Sequence, residues 1–207
     1  MTKSKISIII IMIMGLMFYL FPFRLMAQQF DGGFFFGLSM SQVEGDNYSG
    51  YNKAGITGGG YILRNLNRDL DFRMELRFIQ KGSFKGSTDI DPSYYKVSLD
   101  YIELPLLIQY KLSRKVLLAI GVSPDVLLYS KEEDESGPMP PELHPKFMRF
   151  SAGANFDASY ALTGNIYLGA RFTYSMLRVR EHGGGVTYLL NRGWYNNVIS
   201  FSGYYQF

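Results

Sequence analysis

The chain has 207 residues and a formal net charge of +3. It contains no cysteine, which excludes disulfides, thiolate chemistry and attachment of a lipid through a cysteine. Without Lys3, Lys5 and Arg24 of the N-terminal segment, 18 basic side chains stand against 18 acidic ones. This balance gives no argument for binding nucleic acid.

The N-terminal segment has the composition of a secretory signal peptide. Two lysines precede an almost wholly apolar run, residues 6–21, and Leu25-Met26-Ala27 offers a cleavage site. We therefore expect residues 1–27 to be removed and residues 28–207 to form one domain. The alternative is an uncleaved membrane anchor, because the apolar run approaches the length that spans a bilayer.

Eight later segments alternate as β-strands do, since successive side chains of a strand point to opposite faces. The pattern is clearest in residues 148–160 and 166–176, where even positions are apolar and odd positions are mostly small, polar or charged. So continuous an apolar stripe is typical of a strand that faces lipid, which needs about 9–11 tilted residues to cross the bilayer. The predicted strands are 34–41, 55–63, 72–81, 96–110, 116–128, 148–160, 166–176 and 194–207.

Two of these strands depart from the simple pattern. Gly58-Gly59-Gly60 interrupts the second strand and predicts a corner of a barrel. In the fourth strand the apolar face changes phase at Pro105. Before Pro105 the residues that would face lipid are Val97, Leu99 and Tyr101, and after it the even-numbered residues would face lipid. This change predicts a one-residue bulge at Glu103-Leu104-Pro105.

The connections between the predicted strands alternate between long and short. Outer-membrane barrels have this asymmetry, with short periplasmic turns, longer outer loops and aromatic girdles that suit the 16 Tyr and 16 Phe of the chain. The sequence therefore predicts an all-β fold: an eight-stranded antiparallel up-and-down transmembrane β-barrel behind a cleavable signal peptide. The expected location is the cell outer membrane.

With the apolar faces turned to lipid, the charged positions converge inside the barrel. An eight-stranded barrel encloses a space that side chains just fill, and a charge in it needs a partner. We interpret the cluster as a structural plug of ion pairs, with binding of a proton or ligand as the alternative. The predicted lumenal cluster is Arg73, Glu75, Arg77, Lys81, Asp100, Glu103, Arg149, Asp157 and Arg171.

Few residues suggest chemistry. Asp100 and Glu103 could act as an acid–base pair, but pairing with lumenal arginines explains both. His144 and His182 lie in separate predicted loops, without a second histidine at metal-ligand spacing. The acidic run at residues 131–135 is interpreted as a solvated outer loop, where divalent ions could bridge it to lipopolysaccharide phosphates. We predict no catalytic residue, cofactor or metal site.

Several motifs resemble one known family. They are Gly45-Asp46, Tyr51-Asn52-Lys53-Ala54-Gly55, Glu75-Leu76, Gln80-Lys81-Gly82 and, most specifically, Leu99-Asp100-Tyr101-Ile102-Glu103-Leu104-Pro105. Together they resemble the PorT-like outer-membrane β-barrel family over residues 28–207. This resemblance implies an eight-stranded outer-membrane barrel of a Gram-negative cell. The founding member is associated with protease secretion through the type IX pathway, and the family supplies no catalytic residues.

The leading hypothesis for function is a small non-enzymatic barrel that acts through its outer loops, or as an envelope or secretion accessory. Expected partners are outer-membrane lipid, lipopolysaccharide, secretion-system components and the barrel-assembly machinery, which would read the last strand ending at Phe207. One alternative is a barrel enzyme acting on lipid or peptide. Another is a soluble lipocalin-like periplasmic barrel, in which the apolar faces would point inward.

Overall fold

A computed structural model describes residues 30–207 except 47, 49, 90, 141–144 and 182–192. The predicted signal peptide, His144 and His182 lie outside the described residues, so cleavage after Ala27 stays a prediction. No helix in the described part of the chain is long and apolar enough to cross a membrane.

The described chain folds into β-strands that close into a ring. The strands are β1 Phe30–Glu44, β2 Lys53–Asn65, β3 Leu70–Lys85, β4 Tyr95–Glu103, β5 Leu106–Lys111, β6 Val116–Asp134, β7 Gly137–Pro138, β8 Phe150–Ala161, β9 Ile166–Ser175 and β10 Tyr195–Gln206. Neighbouring strands pair antiparallel. Their order around the sheet is β2, β1, β10, β9, β8 and β6, then β4 together with β5, then β3. The ring closes because β3 also pairs with β2. Because β4 and β5 both pair with β3 and β6, they form one wall strand. The predicted eight-stranded barrel is confirmed.

Alternation decides which face of the wall is the outer one. On β8 and β9 the exposed fraction is 69% for Phe150 and 52% for Leu168, but only 2% for Asp157 and 3% for Arg171. Large apolar side chains therefore cover the outside of the ring, and charged side chains fill its inside. A lipocalin-like arrangement requires the opposite, so the structure contradicts that alternative.

The two ends of the barrel differ in the length of their connections. Residues 66–69, 112–115 and 162–165 make short turns at one end. The longer connections, which follow Glu44, Lys85, Asp134 and Ser175, leave the strands at the other end. Following the rule for outer-membrane barrels, we call these the periplasmic end and the outer end.

The predicted change of phase in the fourth wall strand is wrong. Glu103 pairs with Asp125, and Leu106 pairs with Val122. Between these two pairs each of the two strands advances by three residues, so neither strand has an extra residue there. Pro105 lacks an N–H and interrupts the strand, yet its carbonyl still accepts a hydrogen bond from the Glu75 N–H at 3.0 Å. Odd-numbered residues point inward along the whole of β4 and β5.

A one-residue bulge lies instead on the partner strand β6. Asp100 pairs with Tyr129 and Tyr101 with Leu127, so Leu128 is the extra residue. Beyond it the phase of β6 reverses, which brings Glu132 to the tyrosine hydroxyl of Tyr95. Residues 131–134, interpreted from the sequence as a loop, are part of this strand.

Gly58-Gly59-Gly60 lies within a β2 that pairs continuously with β1 and β3. At Gly59 a Cβ atom would lie 2.0 Å from the Leu76 carbonyl oxygen. The glycine run therefore allows close approach of two backbones within the wall.

A sealed ring of this kind predicts heat-dependent mobility in electrophoresis. Because each strand is hydrogen-bonded on both sides, we expect the ring to resist dodecyl sulfate until it is heated. The unheated protein of the outer-membrane fraction should therefore migrate faster than the boiled protein. Equal mobility in both lanes, or release of the protein by alkali without detergent, would contradict the fold.

Candidate functional site

The lumen nearest the periplasmic end holds a cluster that we call the lower quartet: Arg73, Glu75, Asp157 and Arg171. Arg171 donates to both oxygens of Glu75 at 2.8 Å and to Asp157 Oδ2 at 2.8 Å. Arg73 contacts the same two carboxylates, with Nε 3.0 Å from Glu75 Oε1. Two guanidinium groups and two carboxylates thus neutralise one another out of contact with water, as buried charges require.

A second cluster, the upper quartet, lies further toward the outer end and consists of Arg77, Lys81, Glu103 and Asp125. Lys81 contacts Glu103 and lies 3.5 Å from Asp125 Oδ2. The Nε of Arg77 lies 3.8 Å from Glu103 Oε2 and donates to the hydroxyl of Thr57 at 2.7 Å. This quartet is also neutral, and its four members are about 1% exposed or less.

Seven of the nine predicted lumenal residues lie in these quartets, and two do not. Asp100 is on the outer face of β4, because Leu99 and Tyr101 on either side of it are fully buried inside the barrel. Arg149 is exposed and lies one residue before β8 begins at Phe150. The prediction was wrong for both, since it assumed that apolar residues of β4 face lipid and that β8 begins earlier.

The sequence interpretation missed Asp125. It continues the inward face of β6 two residues after Ser123, so simple extension of the alternation past Pro124 would have found it. Asp125 takes the place that had been assigned to Asp100 in balancing the lumenal charge. It lies on the strand next to Glu103, with which it pairs in register.

The outer part of the lumen contains an apolar layer. Ile79, Val97, Leu99 and Val198 are at most 1% exposed there and pack with Tyr101. This layer begins at the level of the upper quartet, where Leu99 pairs with Lys81, and continues toward the outer end at Val97. It also explains why the alternation of β4 was misleading, since the apolar face of that strand points inward and Lys96, Ser98 and Asp100 lie on its outward face.

An arrangement that we call the outer cap covers this apolar layer and is built around Arg180. The Arg180 guanidinium lies 4.6 Å from the ring centres of both Phe147 and Trp194. It donates to Glu132 Oε2 at 2.8 Å and to the Pro145 carbonyl at 2.6 Å. Cation–π contacts and charge-assisted hydrogen bonds therefore hold two long connections together across the end of the barrel.

Two carboxylates in the outer connections have shifted pKa values. A hydrogen bond from the Lys85 ammonium, with further ones from Ser93, lowers the pKa of the exposed Asp91 to about 2. Burial raises the pKa of Asp46, although it accepts a hydrogen bond from the Tyr48 N–H at 2.9 Å. Asp91 thus stays ionised at the surface of the outer end.

The contacts within the lumen join its charged side chains to one another. Asp100 and Glu103 point to opposite faces of β4, so they cannot act as an acid–base pair. Glu103 and Asp157 are each held by two cationic side chains. Within the described ranges, no three His, Cys, Asp or Glu side chains are arranged to hold a metal ion.

A lipid-facing apolar exterior, a neutralised polar interior and short turns at one end define a transmembrane barrel of the outer membrane. The model of a family described as outer membrane protein beta-barrel domain matches residues 26–179. The chain belongs to this family, and the outer membrane is its location.

Solved structures share the fold. The crystal structure of Ail, the attachment invasion locus protein of Yersinia pestis, aligns with a TM-score of 0.51 and 14% identity over 86% of this chain and 98% of Ail. Ail in complex with the heparin analogue sucrose octasulfate aligns with a TM-score of 0.50 and 12% identity over 86% of this chain and 99% of Ail. Neisserial surface protein A aligns with a TM-score of 0.48 and 14% identity over 86% of this chain and 97% of its own. At such identities the likeness to Ail concerns the fold alone. No curated protein matches the sequence.

The lower quartet predicts a large cost for loss of one carboxylate. In Asp157→Asn, Arg73 and Arg171 would share Glu75 alone, and a buried charge would lack its partner. We expect the free energy of unfolding to fall by about 3 kcal/mol, measured by urea unfolding in detergent micelles.

The matched control is Asp100→Asn on the outer face, which should change stability by less than about 0.5 kcal/mol. Adding Arg73→Gln to Asp157→Asn restores neutrality, so the double variant should lose less than the two single losses added together. Equal losses in Asp157→Asn and Asp100→Asn would contradict the described lumen.

Proposed function

We propose that this protein is a non-enzymatic, non-conducting outer-membrane barrel that acts through the surface of its outer end. The filling of the lumen supports this proposal. Two neutral quartets and an apolar layer occupy the axis, and the outer cap lies over them. Because buried side chains fill the axis, exchange with partners is restricted to the ends of the barrel.

An enzymatic role has less support. Catalytic carboxylates need a free lone pair or a transferable proton near a substrate. Glu103, Asp125 and Asp157 are instead buried beside cationic partners in the lumen. Asp91, an exposed carboxylate of the outer end, accepts hydrogen bonds from Ser93 and Lys85.

The outer surface carries a pocket of about 400 Å³ beside the outer cap. Its lining combines the apolar Met139 and Phe147 with Lys131, Lys146 and Glu132. An apolar centre with charges of both signs around it is the composition of a protein-binding patch. Ail has been crystallised with a sulfated heparin analogue. Here Lys131, Lys146 and Arg180 outnumber Glu132 in the lining, so an acidic surface fits this pocket, and its apolar centre leads us to propose that the partner is a protein.

Among the roles open to a barrel that acts through its outer end, the sequence favours that of an accessory to secretion, like PorT. The resemblance rests mainly on residues 99–105, which form the junction of β4 and β5. Within this segment Glu103 belongs to the upper quartet, and Pro105 interrupts the wall strand. The residues that resemble PorT thus support a common barrel architecture directly. They support a common activity only as far as that activity depends on the architecture. Export by a cleaved signal peptide and assembly through the last strand belong to the same proposal.

The filled lumen predicts the absence of steady conductance. Purified protein inserted into planar bilayers should leave the current at the level of the protein-free membrane, because no water-filled path crosses the quartets. A porin inserted in the same bilayers serves as the positive control. Stable single-channel steps from this protein would contradict a non-conducting barrel.

Deletion of the gene, followed by complementation, tests action at the outer end. A secretion accessory predicts that exported proteins accumulate in the periplasm of the deletion strain and reach the medium when the wild type is restored. Lys131→Glu with Lys146→Glu should fail to restore export, because the charge of the outer pocket is reversed. Arg68→Glu, in an exposed periplasmic turn, is the matched control and should restore it. Normal export in the deletion strain would exclude the secretion role.

A further inference from the structure

A cavity of about 320 Å³ opens at the periplasmic end of the lumen. Its volume is close to the lower limit of ligand pockets, which run from about 300 to 1,000 Å³. Arg73, only 4% exposed, lies at the inner end of the cavity, where its contacts within the lower quartet close the lumen. Two exposed residues, Asn65 at the end of β2 and Arg114 in a short turn, line the mouth. The cavity is therefore a blind pocket that faces the periplasm, and we call it the periplasmic vestibule.

Aromatic rings form part of the vestibule wall. Tyr61 and Tyr204 are buried, with ring centres 5.9 Å apart and nearly perpendicular planes. The half-buried Tyr167 packs against the same cluster and also lines the cavity. A tyrosine ring presents an apolar face with a polar hydroxyl at its edge, so it suits a flat ligand that is apolar on its faces and polar around its rim.

Buried polar side chains form the rest of the wall. Arg73 donates to Gln109 Oε1 at 2.9 Å, Gln109 donates to Asp71 Oδ2 at 3.2 Å, and Lys111 donates to Asp71 Oδ1 at 2.8 Å. Asp71 and Gln109 are 1% and 3% exposed. This chain supplies both hydrogen-bond donors and acceptors, and so it matches hydroxyl and amide groups, which also donate and accept.

One cation of the lining is placed to meet an acidic group of a ligand. Arg73, Lys111 and Arg114 line the cavity together with Asp31 and Asp71, and Arg73 is already neutralised within the lower quartet. Because Lys111 is already paired with Asp71, Arg114 at the mouth is the cation placed to meet a carboxylate. A guanidinium group binds carboxylates well, as two parallel N–H groups can face the two oxygens.

We propose that the periplasmic vestibule binds a sugar unit of an acidic glycan, with the ring against Tyr167 and Tyr61 and a carboxylate at Arg114. The cavity has room for a short saccharide and not for a folded partner. Of the polymers that the periplasmic end of an outer-membrane protein meets, the cell-wall glycan has this chemistry: N-acetylated amino sugars, alternate ones bearing a carboxylate. Such binding would attach the barrel to the wall from below, independently of any partner at the outer end.

The test uses the full folded protein in detergent and the disaccharide of N-acetylglucosamine and N-acetylmuramic acid as the probe. Saturation-transfer NMR should show contact with the sugar protons, and a titration gives the dissociation constant. Tyr167→Ala and Arg114→Ala should each weaken binding about tenfold, as expected for loss of one charge-assisted contact or one ring face. Both residues lie at the mouth, so the wall should fold normally, which the mobility of the unheated protein checks.

Matched controls are Tyr110→Ala, on the lipid face, and Arg68→Ala, in another short turn; both should bind as the wild type does. The uncharged disaccharide of two N-acetylglucosamine units should bind more weakly than the acidic probe. Absence of saturation transfer to the wild type would overturn the proposal, and so would unchanged affinity in Tyr167→Ala with Arg114→Ala. Binding of a cell-wall stem peptide in place of the disaccharide would assign the vestibule to peptides and overturn it as well.

Discussion

Hydrocarbon offers no hydrogen-bond partner, so the backbone of this protein has to satisfy its own polar groups by closing the sheet on itself. The pairing of β2 with β3 completes that closure. Eight wall strands enclose a lumen only wide enough for side chains, and every inward charge must then find a partner within reach. The filled lumen and the restriction of function to the ends both follow from this one constraint.

The quartets also fix the alignment of the strands. Asp157 faces Arg171 across β8 and β9, and Arg77 faces Glu103 across β3 and β4. A slip of one residue in either pair would turn these charges toward lipid, so the ion pairs select one register. Buried ion pairs add little stability compared with a well-packed apolar core. Their value here lies in specificity and in excluding water from the axis.

Alternation along the chain predicted the ring, its long and short connections and the faces of β3, β8 and β9. It failed in β4, where the apolar face of the strand is the inner one: Val97 and Leu99 fill the outer lumen, although the pattern assigned them to lipid. The bulge at Leu128 has no local sequence signature, because a single extra residue changes only the phase that follows it. Arg180 lies in a connection without periodicity, and its two aromatic neighbours are distant in sequence. Such contacts depend on how the closed ring brings the connections together.

Two consecutive phenylalanines provide the most direct measurement of which face meets lipid. Phe35 is 3% exposed and Phe36 is 64% exposed. In a background in which the single tryptophan, Trp194, is replaced by phenylalanine, Phe35→Trp and Phe36→Trp can be compared in bilayers of lipid with brominated acyl chains. Strong quenching of the Phe36→Trp fluorescence and weak quenching of the Phe35→Trp fluorescence is the result expected of this barrel. Equal quenching, or the reverse order, would contradict it.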